Sequence, residues 1–246
     1  MNIKIYENPT ELGGAAAQYC ASILHQTIQE KGEAVIILST GSSQFEFMQS
    51  FVEMDIDWGK ITMFHLDEYV ALPESHPASF RKYLKERFLQ FVSIKEAFLV
   101  NSEGDVAAHL QKLNKELGSR TVDLALIGIG ENAHIAFNDP PADFDTDEIY
   151  KIAALDDACK QQQVGEGWFA SLDDVPTHAI TMTVKQIMKS KHIVSVVPHQ
   201  VKAKAVKLTL EHQLSNMVPS TMLREHPRCT LFLDNGSASL LNDVKV

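Results

Sequence analysis

The chain has 246 residues, 45% of them hydrophobic and 22% charged, which is the composition of a globular protein with a sizeable core. Its formal net charge of −10 excludes a broad binding surface for nucleic acid or anionic membranes, because the field of the protein repels phosphate polymers. A small anion can still bind where a few local donors outweigh that field.

The predicted elements alternate between helices and apolar strands. A helical pattern over residues 12–28 ends at Lys31 and Gly32. Continuous apolar runs then predict strands that are buried on both faces, at 34–38, 61–64, 123–130 and 192–197. Helical segments lie between or after these strands, at 44–52, 79–91, 106–117, 184–189 and in the second half of 198–210.

This alternation predicts a doubly wound α/β fold, in which right-handed crossovers build a mainly parallel sheet with helices on both faces. No repeat, low-complexity segment or linker divides the sequence, so we expect a single domain over residues 1–246. Ligands bind beyond the carboxyl ends of the strands in such sheets. The polar loops after the four predicted strands should therefore meet in one crevice.

The loop after the first strand, ILSTGSSQFEF, is a candidate phosphate site. A buried strand runs into Ser39, Thr40, Gly41, Ser42 and Ser43, and a helix follows. Free backbone N–H groups, hydroxyls and the positive end of a helix dipole can bind a phosphate there. The alternative is an ordinary serine cap on a glycine turn. No Gly-Lys-Thr/Ser sequence follows, which favours a phosphorylated metabolite over a nucleoside triphosphate.

Lys202 is a second candidate for the same site. It lies in the segment PHQVKAKAV, at the start of the helix that follows the strand at 192–197. Its charge could complete a phosphate site at the shared sheet edge. The alternative is that Lys202, Lys204 and Lys207 form a solvated helix face.

The stretch FHLDEYVALPESHPASF ends a buried strand with two adjacent acids, Asp67 and Glu68. Neighbouring side chains in an extended chain point to opposite faces, so one acid should enter the crevice and the other should pack or anchor a neighbour. A carboxylate in a partly dry cleft has a raised pKa and can act as a general base beside a carbonyl. The alternative is a carboxylate that caps the next turn.

The loop GIGENAHIAFNDPPADF carries a candidate proton-transfer residue, His134. Glycines let the backbone turn sharply after the strand, and Asn132, Asn138 or Asp139 could orient the imidazole. Gly130 and Glu68 complete the candidate substrate-binding set. The other histidines show no metal-ligand spacing, so we expect no metal.

The cysteines and the first residues predict a cytoplasmic protein. Cys20, Cys159 and Cys229 are far apart in the sequence, which predicts reduced thiols without disulfides or a zinc site. Residues 1–14 lack the apolar stretch of a signal peptide, and no run reaches membrane-spanning length.

Three segments resemble the glucosamine-6-phosphate deaminase (glucosamine-6-phosphate isomerase) family: HLDEYVALPESHPASFRKYL, DLALIGIGENAHIAFNDPP and EHPRCTLFLDNGSASLL. This family shares a superfamily with the 6-phosphogluconolactonases. The resemblance runs nearly end to end. It implies a doubly wound α/β fold and a cofactor-free conversion of an amino-sugar phosphate to a ketose phosphate and ammonia.

The resemblance also implies roles for individual residues. Asp67 matches the base that moves the C2 proton of the open-chain sugar to C1 through an enolamine. His134 matches the residue that opens the pyranose ring, the loop from Thr40 to Ser43 matches the phosphate loop, and Lys202 matches the phosphate-binding lysine.

The chain departs from the family pattern at three places. Asn132 and Asp139 stand where the family usually has Asp and Glu, and an asparagine cannot stabilise an imidazolium as a carboxylate does. The family's phosphate-binding arginine has no match in residues 155–174, where the nearest cation is Lys160. With Asn132 beside its histidine, the chain also resembles the galactosamine-6-phosphate branch.

We expect glucosamine 6-phosphate to be the substrate, with galactosamine 6-phosphate as the runner-up. Two other functions stay open: a lactonase acting on a sugar phosphate, and a non-catalytic sugar-phosphate sensor. The expected partner is a small sugar phosphate, and the protein would be a monomer or a homo-oligomer without a cofactor.

Overall fold

The computed structural model describes residues 1–241. The strands are β1 (Asn2–Tyr6), β2 (Ala34–Leu38), β3 (Ile61–His65), β4 (Asp67–Tyr69), β5 (Glu96–Phe98), β6 (Leu124–Ile127), β7 (Tyr150–Ala154), β8 (His178–Met182), β9 (His192–Val197) and β10 (Cys229–Asp234). The α-helices are α1 (Pro9–Lys31), α2 (Phe45–Val52), α3 (Phe80–Leu84), α4 (Val106–Gly118), α5 (Asp157–Gly165), α6 (Val184–Ile187) and α7 (Ala203–Glu211).

A seven-stranded sheet lies at the centre, with the order β1-β10-β9-β6-β2-β3-β5. All of its neighbouring strands are parallel. The four strands predicted from apolar runs are the adjacent strands β9, β6, β2 and β3. The predicted α/β architecture is therefore confirmed, and the loops after these four strands leave the same edge of the sheet.

Two apolar clusters lie on the two faces of this sheet. Val35 and Ile37 of β2 pack with residues of α4 and α7, whereas Ile36 and Leu38 pack with residues of α1 and α2. Alternate side chains of one strand thus enter opposite layers, as a doubly covered parallel sheet requires. Each fully buried aliphatic side chain contributes about 1.5–3 kcal/mol to folding.

The predicted first helix is confirmed, and its ends follow from its caps. The side chain of Asn8 accepts a hydrogen bond from the N–H of Glu11 at 3.0 Å, and Pro9 occupies the first helical position. At the other end, the N–H of Gly32 donates to the carbonyl of Ile28 at 2.8 Å. None of the helices within residues 1–241 has the length and apolarity that crossing a bilayer would require.

A second, antiparallel sheet with the order β4-β8-β7 corrects the prediction of an irregular loop after β3. The chain changes sheet at Leu66, whose N–H donates to Leu38 of the central sheet and whose carbonyl accepts from Met182 of β8. Asp67 therefore begins a strand. The pairing of β4 with β8 joins residues more than one hundred positions apart, so no local pattern announces it.

Candidate active site

One cavity at the carboxyl ends of the central strands brings together most of the predicted site residues. Those that line it are Ser39, Thr40, Gly41, Ser42, Ser43, Asp67, Gly130, His134 and Lys202. The predicted convergence of four loops on one crevice agrees with this arrangement. Phe80 and Phe137, whose rings stack with centroids 5.8 Å apart, form an apolar wall of the same cavity.

The loop at residues 39–43 forms one end of the cavity. Gly41 has a φ of 106°, in the left-handed region that favours glycine, and a short 3-10 turn then leads into α2. Gln44 is buried and donates to the carbonyl of Val196 at 3.0 Å, which ties the loop to β9. The hydroxyl-bearing side chains of the loop are thus held at the cavity wall by the sheet beneath them.

Lys202 is buried in the short turn before α7, with 4% of its surface exposed. Burial lowers the pKa of its ammonium group, and the charges of Glu166 and Glu131 partly oppose that shift. Within residues 1–241, no ion pair or hydrogen bond satisfies this ammonium group. The solvated-face alternative is wrong for Lys202, although it suits the exposed Lys204. A buried cation without a partner that borders a cavity favours binding of an anion.

Asp67 lies at the cavity wall with 6% of its surface exposed. Burial raises its pKa well above the usual range, and the charge of the neighbouring Glu68 raises it further. No hydrogen bond from the described part of the chain compensates its carboxylate. A carboxylate in this state is suited to accept a proton from a bound ligand.

Glu68 does not line the cavity, which corrects its prediction as a substrate-binding residue. Its carboxylate accepts hydrogen bonds from the N–H groups of Tyr69, Phe80 and Arg81, from the Ser79 hydroxyl at 2.9 Å, and from Arg81 Nε at 3.3 Å. The side chains of Glu68 and Arg81 are both buried. Glu68 therefore anchors the segment 70–81 to β4 and is the packing member of the predicted pair.

The imidazole of His134 lies directly against the backbone of Gly130. A Cβ atom at position 130 would stand 2.3 Å from Nε2 of His134, so a glycine is required there. The loop also closes on itself, because the N–H of Gly130 donates to the carbonyl of His134 at 2.9 Å. The backbone of Gly130 and the imidazole of His134 are thus in close contact at the cavity.

Asp139 is the residue that faces the other ring nitrogen of His134. Its Oδ1 lies 2.8 Å from Nδ1, at ion-pair distance, although without the alignment of a good hydrogen bond. Burial raises the pKa of Asp139, but His134, Asn132 and the N–H of Asp156 together leave this pKa below the usual value.

Asn132 supports this pair without contacting the ring. Its side-chain oxygen accepts from the N–H of His134 at 3.0 Å, and its Nδ2 donates to Asp139 at 3.1 Å. Asn138, the other candidate for orienting His134, instead donates to the carbonyls of Ile135 and Met182, both at 2.9 Å. Asn132 and Asp139, both predicted as catalytic residues, therefore lie beside His134 and do not line the cavity, and Asn138 fixes the loop.

Sequence reasoning missed the wall formed by α5 and the residue that follows it, which contributes Gln162, Gln163 and Glu166. Gln163 accepts a hydrogen bond from the Tyr69 hydroxyl at 2.6 Å, and Glu166 accepts from the Ser42 hydroxyl at 2.7 Å. The only hint in the sequence is Asp156, which caps α5 by accepting from the N–H of Cys159 at 2.6 Å. Among residues 1–241, no arginine lines the cavity.

Lys160, the nearest cation to the expected arginine, does not line the cavity. Its Nζ lies 3.8 Å from Asp157 on the same helix. The residues of segment 155–174 that line the cavity are two amides and a carboxylate: Gln162, Gln163 and Glu166.

One group within residues 1–241 offers metal-type donor atoms: His134, Asp139 and Cys159, whose donor atoms all lie within 4.8 Å of one another. Burial and the neighbouring acids Asp139 and Asp156 raise the pKa of the Cys159 thiol, which disfavours the thiolate that a metal needs. Asp139 is also already bonded to Asn132. The expectation that no metal is needed stays a prediction.

A sequence profile of the family described as glucosamine-6-phosphate isomerases/6-phosphogluconolactonase matches residues 7–232. Over 242 residues, the chain is 34% identical to a protein named glucosamine-6-phosphate deaminase from Lactobacillus delbrueckii subsp. bulgaricus. These residues cover 98% of this chain and 100% of the relative. A glucosamine-6-phosphate deaminase from Streptococcus pneumoniae is also 34% identical, over 89% of this chain and 94% of its own length.

The fold is similar to that of solved structures in the same superfamily. A monomeric glucosamine-6-phosphate deaminase superposes with a TM-score of 0.88 and 29% identity, over 98% of this chain and 100% of its own. The 6-phosphogluconolactonase from Trypanosoma brucei gives a TM-score of 0.81 at 15% identity, over 98% of both chains, which is a likeness of fold alone. The chain belongs to the family of glucosamine-6-phosphate isomerases and 6-phosphogluconolactonases.

Proposed function

We propose that this protein is a deaminase that converts glucosamine 6-phosphate to a ketose 6-phosphate and ammonia. One observation carries the proposal: two buried charged groups, Asp67 and Lys202, line the same cavity, and neither is paired with another described side chain. A phosphate satisfies the ammonium group, and a proton from the sugar satisfies the carboxylate. The curated relatives at 34% identity, which are named as deaminases of this substrate, support the same conclusion.

The phosphate group would be held at the 39–43 end of the cavity. Hydroxyls of Thr40, Ser42 and Ser43 donate to its oxygens, and the ammonium of Lys202 supplies a compensating charge. Anchoring the phosphate in this way holds C1 and C2 of the sugar in a fixed position relative to Asp67 and His134, so that binding free energy is used to orient the reacting atoms.

His134 would open the pyranose ring. Its imidazole passes the proton of the C1 hydroxyl to the ring oxygen, which releases the open-chain aldehyde. The carboxylate of Asp139 beside Nδ1 stabilises the imidazolium that forms during this transfer. Asn132 holds that carboxylate in place from the other side.

Asp67 would then carry out the isomerisation. Its carboxylate removes the proton from C2 while the aldehyde oxygen takes a proton from the ammonium group of the sugar, which gives a neutral enolamine. The protonated Asp67 returns the proton to C1, which leaves a protonated imine at C2. Water adds to this imine, ammonia leaves, and the ketose phosphate remains. The raised pKa of Asp67 suits both directions of this proton transfer.

The lactonase alternative needs only the phosphate end and the imidazole, and it leaves Asp67 without a function. A desolvated carboxylate at the cavity wall is costly to maintain, so its presence favours the deaminase. We also propose that the protein acts in the cytoplasm, since its three cysteines are free and buried.

The test is to incubate the purified protein with glucosamine 6-phosphate and to measure released ammonia. Galactosamine 6-phosphate and a sugar-phosphate lactone serve as competing substrates. Ammonia release that is lost in Asp67→Asn supports the proposal. Lactone hydrolysis that is unaffected by the same substitution would instead identify a lactonase, and sugar-phosphate binding without turnover would identify a sensor.

A further inference from the structure

Glu166 lies at the phosphate end of the cavity, although no step of the proposed reaction uses it. It follows the last residue of α5 and is half-buried. Its carboxylate accepts hydrogen bonds from the Ser42 hydroxyl at 2.7 Å, from Gln162 Nε2 at 2.7 Å and from Trp168 Nε1 at 3.1 Å. Ser42 belongs to the loop at 39–43, so this carboxylate ties the end of α5 to the proposed phosphate loop.

The carboxylate of Glu166 and a phosphate need the same donors. Both are anions that accept from hydroxyl groups, and both gain from the ammonium of Lys202, on which Glu166 already exerts an attractive charge. A phosphate that takes the Ser42 hydroxyl must replace the oxygen of Glu166. If Glu166 stayed beside the phosphate, the two like charges would repel each other.

We infer that Glu166 is an internal competitor of the phosphate group, whose carboxylate holds the Ser42 hydroxyl in the empty site and is displaced when phosphate binds. Because this role needs the proposed phosphate site, it rests on the proposed function and deepens it. Displacement also frees Gln162 and Trp168 from their shared acceptor. In molecules in which Ser42 is bonded to Glu166, phosphate cannot take the Ser42 hydroxyl. The larger the fraction of such molecules, the lower the apparent affinity for phosphate.

The first test measures binding of inorganic phosphate by calorimetry to the unmodified protein and to Glu166→Gln. The amide keeps the size of the side chain and removes its charge, so we expect phosphate to bind about tenfold more tightly, as for the loss of one charge-assisted hydrogen bond.

Glu131→Gln is the matched control. Glu131 is the other acid whose charge reaches Lys202, but its contact with α5 is made by its backbone N–H, which donates to Gln162 at 2.9 Å. We expect a smaller gain than in Glu166→Gln, because only the long-range charge is removed. Equal gains in the two variants would overturn the competitor role, as would the absence of any gain or of phosphate binding to both proteins.

The second test leaves Glu166 unchanged and therefore does not depend on the stability of a Glu166 variant. The chain has two tryptophans, and Trp58 is partly buried, with its ring against Phe51 and Phe88 at the edge of the apolar core. In a Trp58→Phe protein, the emission of Trp168 reports on its hydrogen bond to Glu166. We expect a saturable change in emission as inorganic phosphate is added. Phosphate binding that leaves the emission unchanged would contradict displacement.

The failure of this inference can be distinguished from the failure of the proposed function. If no ammonia is released but phosphate shifts the Trp168 emission, the competitor role stands and the reaction is wrong. If ammonia is released and Glu166→Gln leaves the KM for the sugar phosphate unchanged, the reaction stands and the competitor role is wrong. The expected result is a KM about tenfold lower with a similar kcat.

Discussion

Asp67 and Glu68 are adjacent in the sequence but lie in two regions of opposite character. Asp67 faces the cavity, where the described residues give its carboxylate no hydrogen bond. Glu68 does not line the cavity, and its carboxylate is satisfied by the N–H groups of Tyr69, Phe80 and Arg81, the Ser79 hydroxyl and the guanidinium of Arg81. Burial raises the pKa of both groups, but in Glu68 these hydrogen bonds oppose the shift.

Two basic residues near these acids, Arg81 and Lys202, differ in the same way. Arg81, behind the cavity, pairs with Glu68 and with Glu103 at 3.0 Å, and it also donates to the carbonyl of Leu72. Lys202, at the cavity wall, has no partner among the described residues. The two charged groups that support the site are therefore paired with each other, whereas the other acid and the lysine at the cavity wall have no partner in the described part of the chain until a ligand binds.

Asp67→Asn should have the largest effect on activity. Without the general base, ammonia release should fall by at least about a thousandfold. The stability should change in the opposite direction. The pKa of Asp67 is higher in the folded than in the unfolded protein. Ionisation of Asp67 therefore destabilises the fold once the pH exceeds the pKa of an ordinary carboxyl group, about 4.

Thermal unfolding of Asp67→Asn as a function of pH checks this sign. The Tm should exceed that of the unmodified protein at neutral pH, and the difference should disappear below about pH 4, where Asp67 is protonated in both states. A variant that is inactive and also less stable at neutral pH would show that Asp67 is a supporting residue like Glu68.

Glu68→Ala should have the largest effect on stability. It removes the acceptor of three backbone N–H groups and one of the two acidic partners of Arg81, which costs about 3–5 kcal/mol, or roughly 10 °C in Tm for a chain of this size. Calorimetry or circular dichroism measures the shift. Glu68→Gln, which keeps the volume and one acceptor oxygen, should lose less. An unchanged Tm in Glu68→Ala would show that Glu68 does not stabilise the fold, and the contrast between Asp67 and Glu68 would be wrong.

Much of the framework could be predicted because it depends on local patterns. The strands β2, β3, β6 and β9 are buried on both faces, so each reads as a continuous apolar run. Parallel strands place their following loops at one edge, and this geometry leads from the sequence to the convergence of Asp67, His134 and Lys202.

The rest depends on contacts that no local pattern encodes. The small strand β4 exists because it pairs with β8, and the assignment of Asp67 to the cavity rather than Glu68 follows from that pairing. The wall of α5 is polar and lacks a motif, so Gln162, Gln163 and Glu166 could not be assigned to the cavity. The family's arginine has no match in residues 155–174, and the carboxylate of Glu166, which lies in this segment, lines the cavity.

Lys202→Met tests the comparison between Arg81 and Lys202 at the phosphate end of the cavity. Removal of the unpaired ammonium should raise the KM for the sugar phosphate about 10–100-fold, since one charge-assisted contact contributes about 1.5–3 kcal/mol, and kcat should change less. Lys204→Met, two residues away on an exposed part of α7, is the control and should leave KM within about twofold. Equal effects in the two variants would assign the change to the net charge of the surface.

Asp139→Asn should have a smaller effect on activity than Asp67→Asn, because Asp139 acts through His134 and does not line the cavity. Loss of the carboxylate beside Nδ1 should lower kcat about tenfold, with little change in KM. Asp139 has a lowered pKa in the folded protein, so its ionised form stabilises the fold at neutral pH and this contribution is lost as the pH falls through the folded value.

Asp139→Asn should therefore be less stable than the unmodified protein at neutral pH, and the two Tm values should converge in acid. Asn132→Ala provides the comparison within the same network. It removes the hydrogen bond to Asp139 but keeps the carboxylate, so it should reduce kcat less than Asp139→Asn does. If Asn132→Ala had the larger effect on kcat, the position of the loop rather than the charge beside His134 would govern ring opening.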